Sequence, residues 1–227
     1  MTTTTATAAL KSYGPLQFPD RAGLHLWQFE RAQRLGLIPG PDINGERWSR
    51  AVFDDAIARI GTIKLATGTL PDVGAARAEK HLADRFSITV HSGTAAELAR
   101  RGHLPVRGEY RDRPLYCGLA LETFRDRRKV QRASAAGRLH MRDTAVKALG
   151  VRESDFDHLV RSGLLTHSEI VEGFHHTLVR LYRQADLDQL LRSRRIDWPA
   201  VHATPKGHRS PLAALPTKNR ADEAVGE

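Results

Sequence analysis

A single cysteine, Cys117, is the only thiol in this chain of 227 residues. One thiol excludes an internal disulfide framework, and it also excludes zinc or iron–sulfur sites built from several cysteines. Long apolar runs are missing too, since no stretch approaches the roughly 18 apolar residues that a membrane helix needs. The first residues show no charged leader followed by an apolar block, which predicts no signal peptide. We therefore expect a cytoplasmic protein without membrane contact.

Signatures of catalysis and of metal binding are also missing. The chain contains neither the Gly-x-x-x-x-Gly-Lys-Ser/Thr loop that holds nucleotide phosphates nor the His-Glu-x-x-His pattern of zinc proteases. His175 and His176 are adjacent, which on a strand splays their side chains apart instead of aiming both at one metal ion. No serine lies in a recognisable nucleophile turn. The sequence predicts no catalytic residue, no metal site, no cofactor and no enzymatic activity.

Positive charge is what the chain has in excess. The sequence has 35 lysines and arginines against 26 aspartates and glutamates, and its formal net charge is +9. The hydrophobic content of 41% is high enough for globular folding. The surplus is concentrated in residues 125–138, with six basic residues and one acid, and in the tail from Arg192 onward. Nearly neutral blocks joined by basic stretches are typical of chains that bind a polyanion, because each cation near a phosphate releases a counterion.

One pattern of residues occurs three times. In each repeat an amphipathic run ends at a glycine, and one or two apolar residues follow within the next two positions. A polar stretch of variable length then leads to an aromatic residue and a second amphipathic run. The glycines are Gly36, Gly102 and Gly163, and the aromatic residues are Trp48, Tyr116 and Tyr182. Apolar residues three and four apart predict a helix, and glycine favours the left-handed conformation that ends one. The pattern predicts a helix, a two-stranded hairpin sealed by the aromatic residue, and a second helix.

The repeats indicate a mainly α fold with short β-hairpin wings, arranged as tandem winged helix-turn-helix domains. The first, second and third repeats are predicted over residues 14–62, 72–124 and 139–195. Residues 125–138 are predicted to be a basic connector between the second and third repeats. The N-terminal residues 1–13 and the basic tail 196–227 are predicted to be flexible.

The third repeat carries the clearest family resemblance. It runs from Gly150-Val-Arg-Glu-Ser-Asp-Phe through Gly163-Leu-Leu to Tyr182, with Asp186 and Leu187 four and five residues after the aromatic ring. This order resembles the DNA-binding head of the mercury-resistance-regulator (MerR) superfamily and of the related phage excisionases. The resemblance implies that a reading helix enters the major groove while the wing reaches a phosphate strand or the adjacent minor groove. No sustained heptad or cysteine cluster follows, so sensing of metals or drugs is not implied.

This geometry assigns candidate DNA contacts to the first two repeats and to the connector. In the first repeat the candidates are His25, Gln28, Arg31, Arg34, Arg47 and Arg50. In the second repeat they are His91, Ser92, Thr94, Arg100, Arg101, Arg107, Arg111 and Arg113, and in the connector Arg127, Arg128, Lys129 and Arg132. The second wing, with three arginines around Gly108, suits phosphate contact or insertion into the minor groove. Trp48 is expected to seal the core instead of stacking on bases.

The third repeat is expected to read bases less well. Its reading helix would begin with Glu153, Asp155 and Asp157, whose three carboxylates repel phosphates. We therefore expect this repeat to contact a protein partner or a second copy of the chain, although Arg152 and Arg180 remain available for phosphates.

The sequence thus predicts a protein that binds double-stranded DNA with a sequence preference, as a transcriptional regulator or as an architectural factor of excisionase or partition type. Such a protein is expected to be associated with the nucleoid. The alternative is a non-enzymatic scaffold whose winged helices bind protein or RNA. Preference for duplex DNA over single-stranded RNA separates the two interpretations.

Overall fold

A computed structural model describes residues 11–217 of the chain. It is mainly helical, with 51% helix and 14% strand, and its strands form small antiparallel sheets, which confirms a mainly α fold with short hairpins. The described chain divides into two compact units, one of residues 11–73 with 106–124 and one of residues 74–105 with 125–217. Within this part of the chain, no helix is long and apolar enough to cross a bilayer.

The elements follow the three repeats along the chain. The first repeat and the helix after it contain β1 (Ser12–Tyr13), α1 (Gln17–Ala22), α2 (Leu26–Arg34), β2 (Trp48–Ser49), α3 (Arg50–Ala58) and α4 (Ile60–Thr67). The second repeat and the helix after it contain α5 (Ala75–Phe86), α6 (Thr94–Arg100), β3 (Val106–Tyr110), β4 (Arg113–Tyr116), α7 (Gly118–Thr123) and α8 (Arg127–Gly137). The rest contains β5 (Leu139–His140), α9 (Arg142–Leu149), α10 (Glu153–Arg161), β6 (Glu169–Glu172), β7 (Leu178–Arg183), α11 (Gln184–Leu191) and α12 (Trp198–Ala203), with single 3₁₀ turns at Phe174–His176 and Pro211–Ala214.

An aromatic cluster holds the first repeat together. Rings of Tyr13, Phe18, Phe29, Trp48 and Phe53 lie with centroids between 4.0 and 6.2 Å apart. The indole Nε1 of Trp48 donates to the carbonyl of Pro39 at 2.8 Å, which satisfies the only polar atom of a side chain that is 4% exposed. The prediction that Trp48 seals the core is confirmed.

Short turns of one shape join the paired helices of the first and third repeats. Residues 23–25 separate α1 from α2, and residues 150–152 separate α9 from α10. Gly23 and Gly150 end the preceding helices with φ of 63° and 65°, a left-handed conformation that glycine adopts without strain. A helix pair with a three-residue turn that contains glycine is typical of helix-turn-helix units.

A backbone pairing recurs at the aromatic residue that closes each repeat. The paired residues are Tyr13 with Trp48, Val73 with Tyr116, and His140 with Tyr182. In each case a residue ahead of the first helix lies antiparallel to the aromatic residue at the end of the hairpin. The second repeat differs in two ways, because residues 87–93 form a longer link between its helices and because its hairpin belongs to the other compact unit.

The stretch predicted as a connector is instead helix α8. Asp126 caps it by accepting the N–H of Lys129 at 3.0 Å. Its buried residues are Val130, Ala133, Ser134 and Gly137, spaced three and four apart. This stripe of small and apolar residues packs against α6. The prediction of a connector rested on the charged residues of the same stretch, which lie on the exposed side of the helix.

Both predicted flexible ends contain ordered elements. Ser12 and Tyr13 form β1, and Trp198, Val201 and Leu212 belong to the core of the third repeat. Asp197 caps α12 by accepting the N–H of Ala200 at 3.1 Å. A few large side chains are enough to hold these stretches to the core, which the proline content of the tail concealed. The remainder of the two predicted flexible ends, 1–10 and 218–227, lies outside the described residues.

Glu79 provides a pH-dependent test of the second unit. This carboxylate, 9% exposed, accepts the N–H of Ala95 at 3.2 Å near the start of α6. Burial raises the pKa of Glu79, and the accepted N–H bonds offset that only in part. With a raised folded-state pKa, its contribution to stability is full below the ordinary value of 4.5 and is lost as the pH rises through the folded-state value.

We therefore expect Glu79→Gln to be more stable than the wild type at neutral pH and equal to it below about pH 4.5, since the amide oxygen still accepts N–H bonds without carrying charge. Urea unfolding across this pH range measures the difference. The exposed Glu30→Gln serves as the control and should track the wild type. A constant difference between Glu79→Gln and the wild type at all pH values would contradict the assignment.

Candidate nucleic-acid interface

Two predicted base contacts of the first repeat are buried. Gln28 is 8% exposed and Arg31 is 4% exposed. The side chain of Gln28 accepts the N–H of His25 and donates from Nε2 to the carbonyl of Gly68 at 2.9 Å. The structure therefore removes Gln28 and Arg31 from the predicted interface, because the chain that follows α4 covers their side of α2.

Arg31 fastens that chain segment to α2. Its guanidinium donates to the carbonyl oxygens of Thr67 and Leu70 at 2.6 and 3.0 Å and forms an ion pair with Asp72 at 2.7 Å. Burial alone would raise the pKa of Asp72, but the N–H of Gly118 and the nearby guanidinium groups hold this pKa below its ordinary value. All of these contacts lie inside the first compact unit, so the charge of Arg31 is used within the fold.

His25 and Arg34 remain at the surface, at the two ends of α2. His25 is exposed and directly precedes the helix. Arg34 is half exposed and lies 3.3 Å from Asp72. Together with Arg107 and Cys117 it lines a cavity of about 100 Å³ in the first unit, so Arg34 and one arginine of the second wing lie near each other.

Arg47 and Arg50 are engaged by the fold around β2. Arg47 is half-buried and donates to the hydroxyl and carbonyl oxygens of Ser12 at 2.9 and 3.1 Å. Arg50 is exposed but pairs with Asp54 one turn further along α3 at 3.2 Å. Arg47 thus helps to attach β1 and is withdrawn from the predicted interface, while Arg50 is partly neutralised.

The start of α6 is more buried than the sequence predicts. The helix begins at Thr94, which is fully buried and donates its hydroxyl hydrogen to the carbonyl of His91. The N–H of His91 donates to Ser134 at 2.9 Å, and His91 is half-buried. The structure removes Thr94 from the predicted interface, since α8 packs against this end of α6. Ser92 alone keeps an exposed side chain here.

Arg100 and Arg101 share one buried carboxylate. Glu97 is 4% exposed, accepts Arg101 Nε at 2.7 Å and Arg183 at 2.9 Å, and also contacts Arg100. Burial alone would raise the pKa of Glu97, but these three cations hold it below its ordinary value. Arg100 and Arg101 therefore keep exposed surface while the single charge of Glu97 offsets theirs in part, which weakens both as phosphate ligands.

The hairpin of β3 and β4 is exposed along its length. Each residue from 105 to 114 is exposed. The two residues between Tyr110 and Arg113 form the turn that joins the strands. Arg107, Arg111 and Arg113 all lie on it, and within residues 11–217 no acid forms an ion pair with any of the three. We call these three residues the hairpin arginines.

Helix α8 exposes a second group of cations. Arg127, Arg128 and Arg132 are exposed, whereas Lys129 is half-buried. As for the hairpin, the described part of the chain contains no acid in ion-pair contact with these arginines. Arg128 and Arg132 are one turn apart, so both lie on one face. We call Arg127, Arg128 and Arg132 the α8 arginines.

The acidic start of α10 is partly neutralised within the third repeat. Arg142 of α9 donates to Glu153 at 2.8 Å and to Asp157 at 3.1 Å. Asp155 is 1% exposed and holds Arg152 in an ion pair at 2.8 Å. Of the three carboxylates predicted to repel phosphates, only Asp155 is buried, while Glu153 and Asp157 stay exposed and share the guanidinium of Arg142. Two guanidinium groups therefore offset the charge of three acids in part, which reduces their expected repulsion of phosphates. The sequence does not predict that Arg142 pairs with these acids, because it lies 11 residues before Glu153, the first of its partners.

The structure therefore sorts the predicted contacts into cations used inside the fold and cations that face solvent. The hairpin arginines and the α8 arginines form the two exposed groups, each within its own compact unit. No protein-family model, curated protein or solved structure matches the chain.

Proposed function

We propose that this chain binds double-stranded DNA with a sequence preference, as a transcriptional regulator or an architectural factor. The observation that carries the proposal is the separation of its arginines. Those that stabilise the fold are paired, while the hairpin arginines and the α8 arginines keep their charge and donors unpaired within the described residues. Arginine in this state is suited to phosphates, which it binds through two parallel N–H donors.

The repeated architecture supports duplex DNA as the polyanion. In the first and third repeats, helix pairs with a three-residue turn precede a hairpin and a strand that pairs back ahead of the first helix. We interpret the three repeats as tandem winged helices, a geometry in which the second helix enters the major groove and the wing reaches the flanking strand. Tandem heads suit an extended site on the duplex.

The direct test is a binding titration of the full chain with random-sequence duplex of about 30 base pairs, long enough for three heads. Fluorescence anisotropy at low and at physiological salt measures the affinity. We expect binding that weakens steeply as salt rises, because phosphate contacts release counterions. Absence of binding at both salt concentrations would overturn the proposal.

The α8 arginines provide a sharper prediction. Replacing Arg128 and Arg132 with alanine is expected to lower duplex affinity about ten- to hundredfold at low salt and to reduce the slope of log affinity against log salt by about 2, since two phosphate contacts are lost. A titration series over salt concentration measures both quantities.

The matched control removes the same charge from cations that have acid partners. Arg59 pairs with Asp55, Lys80 lies 3.1 Å from Asp84, and both cations are exposed. Arg59→Ala with Lys80→Ala should leave the salt slope within about 0.5 of the wild type. Equal losses in the two double variants would mean that only net charge matters and would contradict a defined site on α8.

A second candidate function is a scaffold that binds protein through the third repeat. Its wing exposes Leu178 at 73% and Ile170 at 49%. Exposed apolar side chains close together favour a protein contact over a phosphate contact. Tighter binding of single-stranded RNA or of a protein than of duplex DNA would favour this alternative.

A further inference from the structure

The three hairpins of the repeats end in tips with the same backbone feature. Each tip contains two consecutive residues with positive φ, between 51° and 72°. The pairs are Asn44 with Gly45, Arg111 with Asp112, and His175 with His176. Glycine adopts this conformation without strain, and asparagine, aspartate and histidine are enriched in it, whereas a long side chain such as arginine is disfavoured. Among the six tip residues, Arg111 is the one outside this group.

Arg111 therefore occupies the second tip at a cost in stability. Unfavourable backbone conformations persist in proteins mainly where the side chain that requires them has a function. The first tip can be compared with the second, because it has the same backbone conformation but contains Asn44 and Gly45 and no cation. The presence of arginine at this position of the second tip therefore indicates a function for its guanidinium group.

The Arg111 side chain is held in place without being neutralised. Its guanidinium carbon lies 5.3 Å from the centre of the Tyr110 ring, which is itself 62% exposed. A cation over an aromatic face is oriented by the ring while its N–H donors stay available at the edge. In the described structure no acid forms an ion pair with this arginine.

The faces of the hairpin are poorly suited to reading bases by lying flat in the major groove. Glu109 lies opposite Pro114 on one face, which places an acid beside a side chain that has no donor. At the tip, in contrast, Arg111 and Arg113 stand on either side of Asp112, so two cations face one acid. A hairpin with this distribution approaches DNA with its tip first, and a single arginine fits the minor groove, which is about 6 Å wide.

We infer that Arg111 enters the minor groove of duplex DNA and gives the protein a preference for A/T-rich sequence. Runs of A/T pairs narrow the minor groove and strengthen its negative potential, which attracts an inserted arginine. This inference rests on the proposed function and deepens it by naming the DNA feature that the hairpin recognises. The α8 arginines contact phosphates and add affinity without regard to sequence.

The test transfers the residues of the first tip to the second. The double variant Arg111→Asn with Asp112→Gly is expected to raise the midpoint of thermal unfolding, because the turn loses its strain. The same variant is expected to bind an A/T-rich duplex at least about tenfold more weakly and a G/C-rich duplex less than about threefold more weakly. A tip with a purely structural role would gain stability and leave the preference for A/T unchanged, which would overturn the inference.

A second variant separates the shape of the guanidinium from its charge. Arg111→Lys is expected to keep the salt slope but lose most of the A/T preference, because the more strongly hydrated ammonium inserts less readily into the groove. Distamycin, which fills the minor groove of A/T tracts, should displace the wild type and displace Arg111→Lys far less. Arg59→Lys, whose parent arginine pairs with Asp55 on α3, should behave like the wild type.

The outcomes separate this inference from the proposed function. A wild type that binds A/T-rich and G/C-rich duplexes equally, with neither Arg111 variant changing that, overturns the inference and leaves DNA binding through α8 intact. A wild type that binds neither duplex overturns both.

Discussion

Replacing Arg31 with methionine is expected to destabilise the first compact unit by about 3–5 kcal/mol, as is typical when one partner of a buried ion pair is removed. The methionine side chain fills much of the volume but provides no donor. The carbonyl oxygens of Thr67 and Leu70 and the carboxylate of Asp72 would each lose a hydrogen bond in a region where Thr67 is fully buried. Chemical denaturation at neutral pH measures the loss.

The pH dependence of this effect has a defined sign. The folded-state pKa of Asp72 lies below its ordinary value, so the stability it contributes is present above the ordinary value and is lost as the pH falls through the folded-state pKa. The difference between the wild type and Arg31→Met should therefore be largest at neutral pH and shrink in acid. A difference that stays constant to low pH would show that lost packing, and not the ion pair, is responsible.

Arg34 provides the matched control, because it faces the same carboxylate from the solvent side at 3.3 Å. Half exposed, it should contribute less than about 1 kcal/mol, so Arg34→Met should unfold close to the wild type. The comparison also tests whether Arg31 is absent from the DNA interface. A stable Arg31→Met with reduced DNA affinity would restore Arg31 as a DNA contact.

The second large effect is expected at the contact between α6 and α8. An alanine at position 137 would place its Cβ 2.6 Å from the carbonyl oxygen of Gly93 and 2.8 Å from the Cβ of Glu97. Backbone atoms on both helices would have to separate, and we expect Gly137→Ala to cost roughly 3 kcal/mol or more and to lower the unfolding midpoint by about 6–12 °C. Thermal unfolding followed by circular dichroism measures the shift.

Gly61 is the control for the same substitution in a helix. It lies in α4, is exposed, and an added Cβ would meet nothing within 4 Å. Gly61→Ala is therefore expected to raise stability by about 0.5–1 kcal/mol through the lower entropy of the unfolded chain. If Gly137→Ala stabilised the protein as Gly61→Ala does, the close approach of the two helices would be contradicted.

Gly137 also links stability to the proposed DNA contacts. The packed side of α8 fixes the direction in which Arg128 and Arg132 project on the opposite side. A mild change at this contact, such as Ser134→Ala, removes the acceptor of the His91 N–H and should loosen α8 without removing any cation.

The sequence by itself determined the parts of the fold that depend on local spacing. Glycines that end helices, aromatic residues that follow hairpins and apolar residues three or four apart each leave a signal within a few residues of one another. The helix at Glu153–Arg161 and the sealing position of Trp48 follow from such signals. The exposed arginines of the hairpin were visible for the same reason, because a short polar turn between two strands cannot bury them.

Only the tertiary structure decided which cations remain available at the surface. Arg31 and Gln28 occupy positions on α2 that local spacing cannot distinguish from surface positions, and they are buried by a chain segment about 40 residues further along. Arg142 pairs with both Glu153 and Asp157 and offsets part of their charge, and the sequence hides this because its partners lie on another helix. Whether an arginine is a ligand for phosphate or part of the core depends on which distant acid or carbonyl the fold brings to it, and this long-range pairing has no local signature in the sequence.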